Sequence, residues 1–364
     1  MQRTAYYPQH FAQTRPYLRP FITAVDERMR RGNYTHRDMF NIAAKQVSSA
    51  VFSGHGVTDL STIDPQAFAL ECRAAMLYNA WRLEGGIIYE FDAHLTEALK
   101  HSSLSEVCIN DLSYPFETIY FHFGKAAGFR LTSGEEVTGA YVYYAPGVAL
   151  RITLTSPKDV NTFRIERGYE IYDLGIKAEH FSENLEVAVV RALEDDLRDI
   201  ESALTKVRSG KSTATLTVPS STLEKLPEMQ KAQFEVFRQV TLLVANGLCY
   251  ATAYKDDIKE IWPPSTPEKL KTKASGEDKE AQRAASKLNA MGYQKVRYMG
   301  QAFAQASEET GAVSPHMRRG HWRNQAHGPS MKLRKLVWIR QTRVLGASAS
   351  DEPRVYEVRG PSSS

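Results

Sequence analysis

Near residue 105 the spacing of apolar residues changes from about 3.6 to about 2, and this change limits the fold more than any other feature of the chain. Before it the sequence reads as helices. "RPFITAVDERMRR" (19–31) sets Phe21, Ile22, Val25 and Met29 on one stripe, and "THRDMFNIAAKQVSSAVF" (35–52) opens on Thr35, an N-cap residue whose hydroxyl accepts a free backbone N–H. A third helix, "DPQAFALECRAAMLYNAWRL" (64–83), carries Pro65 in its first turn and is expected to stop at Gly85-Gly86. After the change, "EVCIN" (106–110), "ETIYFHF" (117–123), "EEVTGAYVYYA" (135–145) and "ALRITLTS" (149–156) are rich in β-branched and aromatic residues, which predicts three or four strands of an antiparallel meander. Long helices return at 184–209 and 227–254. Helices grouped apart from strands indicate an α+β fold: N-terminal helices, a central meander with long helices, and a basic C-terminal β module.

Composition adds boundaries. A chain of 364 residues buries a full core and is long enough for two modules. "WPPSTPEKLKTKASGEDKEAQ" (262–282) holds three prolines, then charges, and predicts a linker at 263–280 between a core at 1–262 and a basic module at 281–346, with a mobile tail at 347–364. A short helix near 280–290 and strands at 295–303 and 332–345 are expected in the basic module. The longest apolar run, "VTLLVANGLCYATAY", is shorter than a bilayer demands, and the N-terminus lacks the apolar core of a signal peptide. No membrane association and a cytoplasmic location are therefore expected. Cys72, Cys108 and Cys249 form no CxxC pair, so they read as small hydrophobes rather than a disulfide or zinc set.

With 46 basic and 42 acidic residues, charge distribution matters more than the total. Residues 311–350 contain no Asp or Glu, whereas Glu194, Asp195, Asp196 and Asp199 crowd one helix, read as a solvated face. Inside the acid-free region, "HMRRGHWRNQAHGPSMKLRKLVWIRQTRVL" (316–345) mixes eight Lys or Arg residues with three histidines and two tryptophans. Four readings stand open. Arg and Lys can neutralise phosphates while Trp322 or Trp338 stacks on a base, as single-stranded RNA binding requires. The segment is equally a solvated hairpin covering a sheet edge, or a grip for an acidic protein. Lastly, His316 and His321 suit acid–base cleavage of RNA without metal, with Arg318, Arg319 or Arg323 stabilising the phosphorane. Zinc binding by His316, His321 and His327 is disfavoured by the neighbouring arginines, so neither a metal nor a cofactor is expected.

"YNAWRLEGGIIYEFD" (78–92) is the second unusual stretch. Tyr78 and Trp81 lie one turn apart, either as a buried anchor or as one wall of a peptide groove with Arg82, Tyr141 and Tyr143. No P-loop, dinucleotide fingerprint, GxSxG or kinase motif accompanies them.

"SPHMRRGHWRNQAHGPSMKLRKLVWIRQTRV" resembles the C-terminal signature of the second type V-A anti-CRISPR family, found on phages and plasmids, in which Pro-His-x-Arg-Arg-Gly-His-Trp precedes a basic strand with Trp. "MLYNAWRLEGGIIYEFD" is similar to that family's Tyr-x-x-Ala-Trp-Arg helix, in the same order and at similar spacing. The resemblance implies recognition of a nascent target polypeptide, a type V-A CRISPR effector nuclease in the family, and loss of its mRNA during translation. Such an activity needs two surfaces, and the two unusual stretches fit them: the aromatic helix places peptide contacts at Tyr78, Trp81, Arg82, Tyr141 and Tyr143, and the acid-free region places RNA or ribosome contacts at Arg318, Arg319, His321, Trp322, Arg323, Lys332, Arg334, Lys335 and Trp338. Under this reading the chain is not itself a catalyst, and a host ribonuclease is a partner. A metal-independent ribonuclease using His316 and His321, and a protein-interaction module without RNA contact, are the alternatives.

Overall fold

A computed structural model describes residues 6–32, 34–55, 65–112, 114, 116–131, 134–156, 171–209, 220–263, 265–291, 293–300, 317–318, 320–339 and 342–343. Four helices come first: α1 (Tyr7–Thr14), α2 (Leu18–Arg30), α3 (His36–His55) and α4 (Pro65–Leu83). The expected start of α3 is a reciprocal cap, in which Thr35 Oγ1 accepts from Asp38 N (3.1 Å) and Asp38 Oδ2 accepts from Thr35 N (3.0 Å). α4 ends where Gly85 and Gly86 take positive φ (91° and 68°), a backbone that a side chain would strain.

The chain then enters the sheet through β1 (Ile88–Phe91), passes through α5 (Ala93–Lys100), and continues in β2 (Thr118–His122), β3 (Gly139–Ala145), β4 (Ala149–Thr155) and β5 (Ile171–Lys177). Two long helices follow, α6 (Leu185–Arg208) and α7 (Ser220–Ala253). After them come β6 (Lys259–Ile261), α8 (Glu268–Ala274), α9 (Lys279–Ala290) and β7 (Val296–Met299). The last described elements are β8 (Met317–Arg318), β9 (His321–His327), β10 (Leu333–Ile339) and β11 (Thr342–Arg343).

The fold is α+β, as expected, but its sheet is mixed. Its order is β5-β4-β3-β2-β1-β7-β6, with β1 parallel to both β2 and β7 and the other pairs antiparallel. The meander of β2, β3 and β4 matches the sequence reading; "EVCIN" does not, giving a single bridge from Cys108 to Asn184 and a short turn of 3-10 helix at Ile109–Asp111. The span expected as a linker at 263–280 contains α8, which packs with α9 around Trp262, Ala274, Ala284 and Leu288. β7 lies between β1 and β6 in the main sheet, so the region assigned to a separate basic module also completes the core sheet. The 347–364 tail lies outside the described residues.

Strand alternation sends side chains to two cores. Ile88, Tyr120, Tyr141 and Val296 face the N-terminal helices, where Phe11, Phe21, Val25, Val47, Val51 and Trp81 are buried. Tyr89, Phe91, Ile119, Phe121, Val142 and Leu154 face the other way, against α5, α6 and α7. α7 approaches β1 so closely at Gly247 that a Cβ there would collide with the Phe91 ring.

Candidate functional site

β9 and β10 form an antiparallel hairpin in which His327 pairs with Leu333, Gln325 with Lys335, Arg323 with Val337 and His321 with Ile339. The intervening pairs are Ala326–Arg334, Asn324–Leu336 and Trp322–Trp338. Alternation makes two faces of opposite character. The inner face is apolar at its far end, where Trp322 and Trp338 stack (centroids 5.9 Å apart) inside the same core as α7. Trp322 Nε1 donates to Asn246 Oδ1 (2.7 Å), Trp338 Nε1 donates to Ser102 Oγ (3.1 Å), and Asn246 Nδ2 donates to the Ser102 carbonyl (3.3 Å). Each buried polar group is thereby satisfied within one relay joining α5, α7 and the hairpin.

This corrects the expectation that either tryptophan stacks on a base. Both indoles are buried, so exposing one would break its hydrogen bond and open the core. The outer face is different: Arg323, Gln325, His327, Leu333, Lys335 and Ile339 are exposed there, with His321 half-buried beside them. Of the basic residues singled out, Arg323 and Lys335 share this face, Lys332 stands at the turn, and Arg334 points to the opposite face at the open end. None of these four has an ion-pair partner among the described residues. Arg318 lies in β8, paired with Thr342; His316 and Arg319 lie outside the described residues, so the His316–His321 pair is not placed.

On the other side of the sheet, the aromatic stretch of α4 divides between core and surface. Trp81 is buried, its Nε1 donating to the Ile87 carbonyl (2.7 Å) and its ring packed on Tyr78 and Tyr141. Tyr141 is buried as well, which removes it from a solvent-facing wall. Arg82 is pinned by Asp26 (2.6 Å) and Asn79 (3.0 Å). Tyr78 and Trp81 edge a cleft of about 530 Å³ that reaches Trp262 and Tyr293, while Tyr143 lines a separate cleft of about 670 Å³ on the other flank of α4. The expected single groove is therefore two clefts with α4 as the ridge between them.

The larger cleft runs between α3 and α4, walled by Met39, Phe40, Met76, Leu77 and Leu83, and floored by Thr118, Tyr143 and Arg151. Phe40 and Leu83 are exposed despite their size, 40% and 46% respectively. At its charged end Arg73 (2.6 Å) and Arg151 (3.0 Å) share the single carboxylate of Asp173, and Glu84 and Glu117 also line the cleft, so both signs of charge stand beside the apolar wall. Asp196 lies nearby on α6; burial, and the charges of Asp173 and Asp199, raise its pKa to about 6. Sequence reading missed Arg73, Arg151 and Asp173, which meet only when α4, β4 and β5 are assembled. It also treated the α6 acids as a solvated face, whereas Asp195 and Asp196 are half-buried.

Residues 89–346, well over half of the chain, match the model of the AcrVA2-like family, anti-CRISPR type V subtype A2. The chain belongs to that family. A crystal structure of AcrVA2 is similar to this AcrVA2-like chain over 89% of its length and 93% of that chain, at 15% identity and a TM-score of 0.40. No curated protein matches it. The matched region spans β1 to the hairpin and so takes in the tryptophan relay, the basic outer face and the floor of the larger cleft. Among the described residues, no helix of this family member is long and apolar enough to cross a membrane.

Proposed function

We propose that this AcrVA2-like protein, carried on a mobile element, lowers the expression of a type V-A CRISPR effector by recognising the effector's emerging polypeptide and provoking loss of its mRNA. The observation that carries the reading is the pairing of family membership with two chemically distinct surfaces on opposite sides of one sheet. On one side the cleft beside α4 has apolar walls with Arg73, Arg151, Glu84 and Glu117 among its lining residues, and suits a short peptide with apolar side chains. On the other, the outer face of the hairpin offers Arg323 and Lys335 without acidic neighbours, a surface suited to phosphates of RNA or the ribosome. A host ribonuclease recruited at the ribosome supplies the cleavage.

The test is co-expression with an effector gene in two forms, one read normally and one with its first codons frame-shifted and the frame then restored. The transcript of the normal form should fall several-fold, while the frame-shifted transcript, nearly identical as RNA, should persist. An equal fall of both transcripts would show that RNA sequence, not peptide, is read. Inhibition of the effector with both transcripts intact would remove mRNA loss from the account altogether.

A further inference from the structure

At the far edge of the sheet, between the end of β5 and α6, three carboxylates surround one histidine. His180 sits in the turn Ala178–His180 and is 9% exposed. Its Nδ1 lies 3.4 Å from Glu183 Oε1, an oxygen that Arg191 also holds at 2.7 Å. Its Nε2 is buried and has no hydrogen-bond partner, although Glu179 Oε1 and Asp195 Oδ2 stand 3.6 and 3.5 Å away. These three atoms lie within 4.8 Å of one another.

The arrangement has a directional logic. A carboxylate at Nδ1 favours the tautomer with its proton there, which turns the Nε2 lone pair toward two anionic oxygens. Lone pair and anions repel unless a cation lies between them. Nitrogen and oxygen ligands bound at about 2.1 Å to a tetrahedral ion stand about 3.4 Å apart, close to the two separations found here. The Glu183–His180 contact is, moreover, the outer-sphere bond that metal-binding histidines use to set ring orientation.

We propose that His180 Nε2, Glu179 Oε1 and Asp195 Oδ2 bind one divalent transition-metal ion, with Glu183 as the residue that orients His180. An imidazole with two carboxylates selects ions such as Zn²⁺ or Mn²⁺ over Ca²⁺ and Mg²⁺, which prefer all-oxygen shells. Two carboxylates neutralise the ion's charge. Glu179, mostly exposed, is the ligand free to move as the ion enters. Lys177, 3.4 Å from Asp195 Oδ2, has to withdraw, and its own half-exposed position permits this; Arg198 stays on the other oxygen of Asp195. The ion would tie the turn after β5 to the third turn of α6 and keep at least one coordination position for solvent.

The experiment is calorimetric titration of the full chain, stripped with EDTA and dialysed, with ZnCl₂ and MnCl₂, and with MgCl₂ as control. One Zn²⁺ or Mn²⁺ should bind per chain and raise Tm, with no response to Mg²⁺. His180→Asn and Asp195→Asn should each abolish binding, and Glu183→Gln should weaken it about 10- to 100-fold. A triple His316→Ala, His321→Ala, His327→Ala variant should bind as the parent does, which separates this site from the histidines of the hairpin region. Absence of one-to-one binding would overturn the proposal and leave a proton as the cation between these groups. Binding that survives in a folded His180→Asn or Asp195→Asn protein would overturn it equally.

Discussion

Replacing Trp322 by phenylalanine removes the indole N–H that bonds Asn246 and leaves that buried carbonyl oxygen without its donor. Chemical denaturation should show a loss of about 1 to 3 kcal/mol, and Trp322→Ala, which also opens a cavity, about 3 to 5 kcal/mol. RNA affinity of the folded phenylalanine variant should be unchanged; a selective loss of RNA binding would return the indole to the interface. His122 offers a second check at this scale. Burial lowers its pKa to about 4, against 6.5 for an ordinary histidine, so the unfolded chain takes up a proton that the native one refuses. Stability from this group is therefore complete above about pH 6.5 and is lost as pH falls toward about 4. Asp196, with its pKa raised to about 6, has the opposite sign: the native state binds its proton first, and acidification between about 6 and 4 is stabilising there. His122→Gln should consequently lose about 2 to 3 kcal/mol less than the parent between pH 7 and 4.5, measured by urea unfolding at both values. An identical loss would mean that His122 protonates in the fold without cost. None of these environments was legible from residue type, since a tryptophan beside arginines has the same composition in an RNA grip as in a core.

At the level of elements, local signals worked where the cause was local. The Thr35 cap, the Gly85-Gly86 stop and the alternation of β2, β3 and β4 depend on neighbours within a few residues, and all three are present. β1 and β7 needed partners from far along the chain: "IYEF" and "VRYM" pair in parallel across some two hundred residues, and no turn signal marks such a pair. α8 was hidden by a proline-rich, charged sequence whose few apolar residues meet only when Trp262, Ala274 and Leu288 come together. The approach of α7 to β1 is a test of this packing. Gly247→Ala adds one methyl where the Phe91 ring already lies, and should cost about 1 to 3 kcal/mol by overpacking. Gly247→Ala combined with Phe91→Leu should recover part of that loss; full additivity of the two penalties would argue that the helix and strand are not in contact.

For the whole molecule, the separation of surfaces is what the proposed function needs, and each should fail on its own. Arg323→Gln with Lys335→Gln should lower the dependence of single-stranded RNA affinity on log salt by about 1.4, the contribution of two phosphate contacts, while peptide binding in the cleft persists. An unchanged slope would move the RNA contact elsewhere or favour a hairpin that grips an acidic protein. The same RNA, incubated with and without EDTA, tests the ribonuclease alternative through cleavage that His321→Ala abolishes. By itself the sequence determined the α+β class, the helices before the strands, the acid-free region that ends up as a basic hairpin face, and the resemblance that the family match bears out. These follow from period, composition and motif, which are properties of neighbours along the chain. Tertiary structure alone decided which tryptophans face inward, that the aromatic helix divides two clefts, and that Arg73, Arg151 and Asp173 share one site. The physical reason is that burial and ion pairing depend on which faces of distant elements meet, and a strand's alternation names two faces without saying which one the protein will cover.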